Sequence, residues 1–200
     1  MRELAWSALF WGCLIVQAQA GHGLMNSFAG IEWLPPAGIT PADRTYRVAR
    51  WWEEIQFSLA ATPAEKLSLS LSFARERLAE IEVLIRADNP AAARQASADY
   101  AVHLAQASTL VASFSPVEHE AQLLSLATVL LEHQYIVSTD YLELPRESRG
   151  VFSEIIKIAA QHYTGVRDQL PRRTRDSLFF KEEEVRWSWE QALGADAQGL

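Results

Sequence analysis

Apolar residues in this chain recur mostly at spacings of three and four, which is the period of an amphipathic α-helix. The rhythm is clearest at six positions of one segment: Leu67, Leu71, Ala74, Leu78, Ile81 and Ile85. A seam of this kind is typical of helices that pack side by side as in a coiled coil. The pattern therefore predicts an all-α fold, an up-and-down antiparallel bundle of five to six helices.

Helix starts are marked by capping residues that directly precede a proline. There are four such pairs: Thr40-Pro41, Thr62-Pro63, Asn89-Pro90 and Ser115-Pro116. The capping side chain accepts a bond from a free backbone N–H, and proline fits the first turn. We expect one bundle domain over residues 40–193, followed by a tail at 194–200. Its helices are predicted at residues 41–60, 63–88, 90–114, 116–142, 146–170 and 172–193.

The same periodicity predicts which side of each helix faces the core. In the first helix the inward positions are expected to be Val48, Trp52, Ile55 and Leu59. One segment, residues 67–73, also alternates like a half-buried strand. The capping residues before it and the strong helix formers after it favour a helix there.

The first twenty residues have the pattern of an export signal. An apolar run at residues 4–16 precedes Ala18-Gln19-Ala20, a small-x-small ending typical of a cleavage site. We expect cleavage of the signal peptide 1–20 after Ala20, which places the mature protein in the periplasm or outside the cell. The alternative, an uncleaved signal anchor, is the one membrane contact that the sequence suggests.

Between the signal and the first helix, residues 21–39 are rich in Gly and Pro. They are expected to form an extended arm, from which four apolar side chains can pack on the bundle: Phe28, Ile31, Trp33 and Leu34.

Charge and cysteine content narrow the range of functions. The chain has 200 residues and a formal net charge of −7, which argues against a nucleic-acid partner. Cys13 is the single cysteine and lies in the export signal, so a cleaved chain has no thiol for catalysis, metal binding or a disulfide.

Several segments of the first half resemble a known family. They are Gly38-Ile39-Thr40-Pro41-Ala42-Asp43, Tyr46, Arg50, Glu53 or Glu54, residues 55–60, residues 62–66, and Phe73-Ala74-Arg75-Glu76-Arg77-Leu78-Ala79-Glu80-Ile81. Together, over about residues 37–113, they resemble a bacterial extracytoplasmic family of helical domains known only as a domain of unknown function. The resemblance implies an all-helical build and a place outside the cytoplasm, and it supplies no catalytic residues.

Candidate chemistry is limited to histidines on the helix seams. The sequence has no Gly-x-Ser-x-Gly, His-x-x-x-His or Glu-x-x-His pattern. His103, His133 and His162 each fall on the apolar side of their helices, and His103 and His162 are predicted at nearly the same height. Two imidazoles at one level can bind a transition metal. The alternative is that each histidine is hydrogen-bonded within the bundle, and no cofactor is otherwise implied.

Paired aromatic residues are the second candidate. Consecutive aromatic side chains cannot all face one core, so Trp51, Trp52, Trp187 and Trp189 are predicted to contribute to a partner contact. The alternative is that the arm and the last helix cover them.

These observations favour a non-catalytic structural or interaction module of the cell envelope, with a protein as its partner. The alternative function is a periplasmic metal-binding or metal-sensing bundle that uses His103 and His162.

Overall fold

A computed structural model of the protein describes residues 27–144, 146 and 149–198, and these residues form helices without a β-strand. Seven α-helices follow in chain order: α1 Tyr46–Leu59, α2 Pro63–Arg86, α3 Pro90–Val111, α4 Pro116–Asp140, α5 Arg149–Arg167, α6 Arg172–Asp176 and α7 Phe179–Gln198. The all-α prediction is confirmed for this part of the chain. The strand alternative for residues 67–73 is wrong, because they lie within α2. The predicted signal peptide at residues 1–20 lies outside the described residues.

The turn between α2 and α3 shows how the helices are made to run antiparallel. Asp88 adopts a left-handed conformation (φ 53°), and the N–H groups of Asp88 and Asn89 donate to the carbonyls of Ile85 and Leu84. This is the Schellman arrangement that closes a helix C-terminus. The Asn89 side chain then accepts from the Ala92 N–H at 3.2 Å and caps α3 at once. Three residues thus reverse the chain, and the two helices pack along their length.

The remaining helices build the bundle around this pair. α4 packs against α5 and α7, and α5 also contacts α3. The shared core contains large side chains that are fully buried, from α2 to α5: Leu78, Ile81, Ile85, Tyr100, Leu104, Leu126, Leu130 and Ile155. On α3, Ala93, Ala96 and Ala107 are completely buried, which lets neighbouring helices approach closely. Within the described ranges, no helix has the length and apolar character that crossing a bilayer requires.

Three of the four proline pairs begin helices at the predicted proline, and the fourth does not. The first helix begins at Tyr46 rather than at residue 41. Asp43 accepts from both the N–H and the hydroxyl of Thr40, at 2.8 and 2.9 Å. The Asp43 N–H in turn donates to the Thr40 carbonyl at 2.9 Å, and the Tyr46 N–H donates to the Asp43 carbonyl at 3.1 Å, both i to i+3 bonds of turns rather than of an α-helix. The segment closes a local turn, and the helix begins after it.

The predicted last helix over residues 172–193 is divided in the structure. α6 ends at Asp176, and the N–H groups of Ser177 and Leu178 donate to the carbonyls of Thr174 and Arg175, which tightens the last turn. Leu178, 3% exposed, enters the core at this break, and α7 then continues to Gln198, beyond the predicted end.

The arm crosses the bundle from α7 to α2. The Phe28 ring is stacked on Tyr135 of α4 (centroids 4.3 Å apart), and Lys181 Nζ of α7 lies 4.2 Å from its centre. Further along, Arg75 of α2 donates to the Trp33 carbonyl. Phe28, Ile31 and Leu34 pack on the core as expected, whereas the Trp33 side chain is 51% exposed.

The expected inward face of α1 is wrong. Val48, Trp52 and Leu59 are 63%, 55% and 76% exposed, and only Ile55 is half-buried. The buried residues of this helix are Tyr46 and Glu53. α1 therefore lies on the bundle with its polar side inward.

The N-cap residues of α2 and α4 differ in whether the side chain accepts a backbone N–H, and this difference predicts an effect on stability. The Thr62 hydroxyl accepts the Glu65 N–H (3.2 Å), and the Glu65 carboxylate accepts the Thr62 N–H (3.1 Å), which completes a capping box. Thr62→Ala is expected to lower the free energy of unfolding by about 1 kcal/mol, because a backbone N–H loses its partner. Ser115→Ala is the matched control, since the Ser115 hydroxyl bonds only the Glu118 carboxylate and caps no backbone group. Urea unfolding of the two variants measures the difference, and equal losses would contradict this assignment.

Candidate functional site

α1 has two opposite faces, and the polar one lies against the protein. Tyr46, Arg50 and Glu53 are spaced by four and three residues and point towards α2 and α3. The outer face carries apolar side chains at the complementary positions: Val48, Trp51, Trp52, Ile55 and Leu59. The helix is held by polar contacts and presents its apolar stripe outward.

The inward face of α1 meets a buried arginine of α2. Arg77 is 2% exposed, and its Nη2 atom lies 2.6 Å from Glu80 Oε1 and 3.1 Å from Glu53 Oε1. A third carboxylate, Glu76, lies 3.7 Å from the same nitrogen. The guanidinium also lies over the Tyr46 ring, 5.8 Å from its centre. One cation therefore binds α1 to α2 through carboxylates of both helices.

A second arginine joins α1 to α3. Arg50 forms an ion pair with Glu53, and its Nε lies 3.7 Å from Asp99 Oδ2. The Tyr46 hydroxyl donates to the same Asp99 oxygen at 2.5 Å. We call these residues, with His103, the Arg77 cluster: Tyr46, Arg50, Glu53, Glu76, Arg77, Glu80, Asp99 and His103.

His103 takes part in the Arg77 cluster as an acceptor. Its Nε2 lies 2.9 Å from Arg50 Nη1, and a guanidinium can only donate, so Nε2 accepts and the proton resides on Nδ1. The Phe73 ring lies against the imidazole at 5.4 Å. Burial, together with Arg50 and Arg77, lowers the pKa of His103 to about 4. The imidazole is therefore neutral at physiological pH.

The carboxylates of the Arg77 cluster outnumber its cations. Four carboxyl groups face two guanidinium groups. Burial raises the pKa of Glu80 to about 7 despite the neighbouring Arg77, and burial also raises the pKa of Glu53. Glu80 Oε2 has no hydrogen-bond partner among the residues that the structure describes. Arg77 Nε and His103 Nδ1 are likewise without a partner among these residues. When its carboxyl groups are ionised, the cluster carries more negative than positive charge.

A cleft of about 580 Å³ opens between α1, α2 and the end of the arm. Its polar side is formed by Glu53, Glu76, Arg77 and Glu80 of the Arg77 cluster. Its apolar side includes the large side chains of Ile39, Val48, Trp52 and Phe73, and Val48 and Trp52 belong to the outer face of α1. The apolar face and the polar cluster therefore meet in one depression.

The histidines that the sequence suggested for metal binding have separate surroundings. His103 contacts Arg50, whereas Nδ1 of His162 on α5 lies 3.2 Å from the Ser108 hydroxyl of α3. His133 is bonded to the Tyr100 hydroxyl (3.1 Å), and burial lowers its pKa to about 3. Over the described ranges, no group of three or more His, Cys, Asp or Glu side chains is arranged to hold a metal ion. Nothing here supports the metal-binding alternative.

The tryptophans predicted to form a partner contact fall into two groups. Trp51, Trp52 and Trp187 are 59%, 55% and 52% exposed. Trp189 instead packs edge-on against Tyr141 at 5.0 Å and lies against the core, where it is only partly accessible. Trp51 and Trp52 are adjacent on the outer face of α1, so the exposed pair there is the stronger candidate.

The structure and the site define an all-helical domain whose first helix is fixed by buried ion pairs. The chain belongs to the family described as Domain of unknown function (DUF5667), whose model matches residues 38–147. The predicted resemblance to an uncharacterised family is thus confirmed. The matched segment, residues 38–147, is longer than the predicted segment, residues 37–113. Neither the curated proteins nor the solved structures include one that matches this chain.

Sequence reasoning did not identify the Arg77 cluster, although the signal was present. Tyr46, Arg50 and Glu53 form a polar stripe at helical spacing, opposite the apolar stripe of α1. Arg77 and Glu80 lie among buried positions of the α2 seam, where charged residues are uncommon unless paired. Of the two adjacent acids, Glu53 is buried in the Arg77 cluster and Glu54 is exposed.

The raised pKa of Glu80 predicts how stability changes with pH. The folded protein holds this proton more tightly than the unfolded chain, so the contribution of Glu80 is fully present below pH 4.5 and is lost as pH rises to about 7. Glu80→Gln removes this dependence. The stability of the variant relative to wild type should rise across this window, by roughly 3 kcal/mol from the size of the shift.

Urea unfolding at a series of pH values measures this difference. Glu190→Gln on α7, a largely exposed carboxyl, is the control and should show no such trend. His103 and His133 have lowered pKa values, so they contribute the opposite slope below pH 6.5, but they contribute it equally to wild type and variant. A flat difference between wild type and Glu80→Gln contradicts the prediction.

Proposed function

We propose that this chain is a non-catalytic interaction module of the cell envelope, periplasmic or secreted, that binds a partner protein through the outer face of α1. The observation that carries the proposal is the orientation of α1. A helix with two adjacent exposed tryptophans and an exposed Val48 and Leu59 leaves a contiguous apolar surface in water. Surfaces of this kind mark interaction sites in soluble proteins.

The exposure of this face is enforced by the contacts on the other side of the helix. Turning α1 to bury Trp51 and Trp52 would pull Glu53 and Arg50 away from Arg77 and Asp99. The buried Arg77 would lose one of its carboxylate partners, and Asp99 would lose Arg50, so the turned arrangement is less stable. A partner that covers the apolar face leaves these ion pairs intact.

The location rests on the export pattern of residues 1–20. An apolar run followed by Ala18-Gln19-Ala20 supports transport across the cytoplasmic membrane. The non-catalytic role is supported by the sequence, which offers none of the catalytic patterns considered above, and by the use of the charged groups of the Arg77 cluster as ion pairs that fix α1.

Site-specific photo-crosslinking in the producing cells tests the proposed interaction. A photoreactive residue in place of Trp51 in the full chain should give a discrete adduct with one partner protein, because this side chain is at the centre of the apolar face. Val117 is the matched control, an apolar residue that is 90% exposed at the start of α4. Substituting Trp52→Glu should suppress the adduct, because the added charge would be buried in the contact.

Two outcomes would reject this assignment. One is the absence of a discrete adduct from position 51, and the other is the same set of adducts from positions 51 and 117. The location is checked separately with an added protease. The protease should digest the protein in cells whose outer envelope has been opened but whose cytoplasmic membrane is intact.

A further inference from the structure

The cleft beside α1 shares two residues with the apolar face. Val48 and Trp52 line the cleft and also belong to the outer face of the helix. A protein that covers this face therefore also lies over the cleft, so the chemistry of the cleft constrains what that protein presents. The inference that follows rests on the function proposed above.

The electrostatics of the cleft favour a cation. Three carboxyl groups, Glu53, Glu76 and Glu80, line it together with one guanidinium, that of Arg77. Arg77 already interacts with all three, and Arg50 and Asp99 lie beyond them. Of the charged side chains that line the cleft, Glu76 is the most accessible at 42% exposed, whereas Arg77 is 3% exposed, so an anion would be repelled by an accessible carboxylate. An entering cation would instead reduce the excess of negative charge.

A buried acceptor supports the same conclusion. Glu80 is 1% exposed and lines the cleft, and its Oε2 atom has no hydrogen-bond partner in the described part of the chain. Buried polar atoms in folded proteins are nearly always hydrogen-bonded, so the unpaired Glu80 oxygen marks a place where a donor is missing. Arg77 Nε, a donor, likewise has no partner among the described residues, so the sign of the entering group is decided by the three carboxyl groups that face one guanidinium. Ammonium and guanidinium groups carry only donors and a positive charge.

The apolar wall specifies what carries the cation. Trp52, Phe73 and Val48 surround the approach to the carboxylates. Long basic side chains place their methylene stem along apolar surface and their charged head at a polar end. Trp52 also offers a π face that attracts a cation. A cleft of about 580 Å³ is ample for such a group.

We infer that this cleft receives a lysine or arginine side chain of the partner protein, with its charged head at Glu76 and Glu80 and its stem against Trp52. The partner surface is accordingly apolar with a basic residue projecting from it. An acidic or purely apolar partner surface offers no cation for the carboxylates of the cleft.

Small probes test the cleft without knowledge of the partner. The probes are n-hexylammonium and n-butylguanidinium, with n-hexanol and n-hexanoate as the matched neutral and anionic compounds. They are titrated into the full chain above the pKa of Glu80, and binding is followed by the NMR signal of the Trp52 indole N–H, assigned with Trp52→Phe. Both cations should shift this signal saturably, and hexanol and hexanoate should not.

Two substitutions locate the charge. Glu76→Gln is expected to weaken binding of the cations about tenfold, the order for one lost hydrogen bond to a charged group. Its partly exposed side chain makes it a safe choice for folding. Glu190→Gln on α7 is the control and should leave binding unchanged. Equal binding of hexanol, unchanged binding in Glu76→Gln, or no saturable binding of either cation overturns the inference.

The two proposals fail separately. A discrete adduct from position 51 without cation binding supports the interaction module and rejects the inference that its partner inserts a basic side chain. Cation binding without an adduct retains the cleft as a site for ammonium and guanidinium groups and rejects the protein partner.

Discussion

The contact between the buried guanidinium of Arg77 and the carboxylates around it is the constraint on which the rest of the structure depends. A charge removed from water is tolerated only when it is paired and hydrogen-bonded. Arg77 lies on the seam of α2, is 2% exposed and pairs with Glu80 of its own helix, and α1 presents Glu53 as the next carboxylate. Arg50 and Tyr46 then extend the same set of contacts to Asp99 of α3. The position and rotation of α1 follow from these polar contacts rather than from apolar burial.

This constraint explains why α1 departs from the usual amphipathic arrangement. A surface helix normally buries its apolar stripe and exposes its charges. Here the polar stripe finds partners on two other helices, and the tryptophans are left outside. An isolated ion pair is weak evidence for stability, but a connected set of pairs can select one arrangement among several. The Arg77 cluster has that role between α1 and the α2–α3 pair, and it leaves carboxylates lining the cleft beside the exposed face.

Local signals in the sequence predicted the helices well, whereas orientation depended on distant partners. The capping box at Thr62 and Glu65 and the cap at Asn89 involve neighbouring residues, so the starts of α2 and α3 were predictable. Thr40 and Asp43 look similar in sequence, but the backbone there closes successive turns and the helix begins only at Tyr46. The break before α7 depends on Leu178 reaching the core, which periodicity alone does not show. The face of α1 depends on Arg77, 24 residues beyond Glu53.

The seam histidines also show that sequence periodicity predicts the position of a side chain but not its hydrogen-bond partners. Helical spacing places His103 and His162 on inward faces, but the ligand capacity of an imidazole depends on what its nitrogens already bind. Nε2 of His103 accepts from Arg50, so a metal ion there would have to displace a guanidinium from a position between two carboxylates. His162 is bonded to Ser108, and His133 to Tyr100. Each contact partner lies on another helix, outside the reach of local pattern. In this bundle the seam histidines form hydrogen bonds between helices. The charge that exceeds its counterions belongs to the carboxylates of the Arg77 cluster.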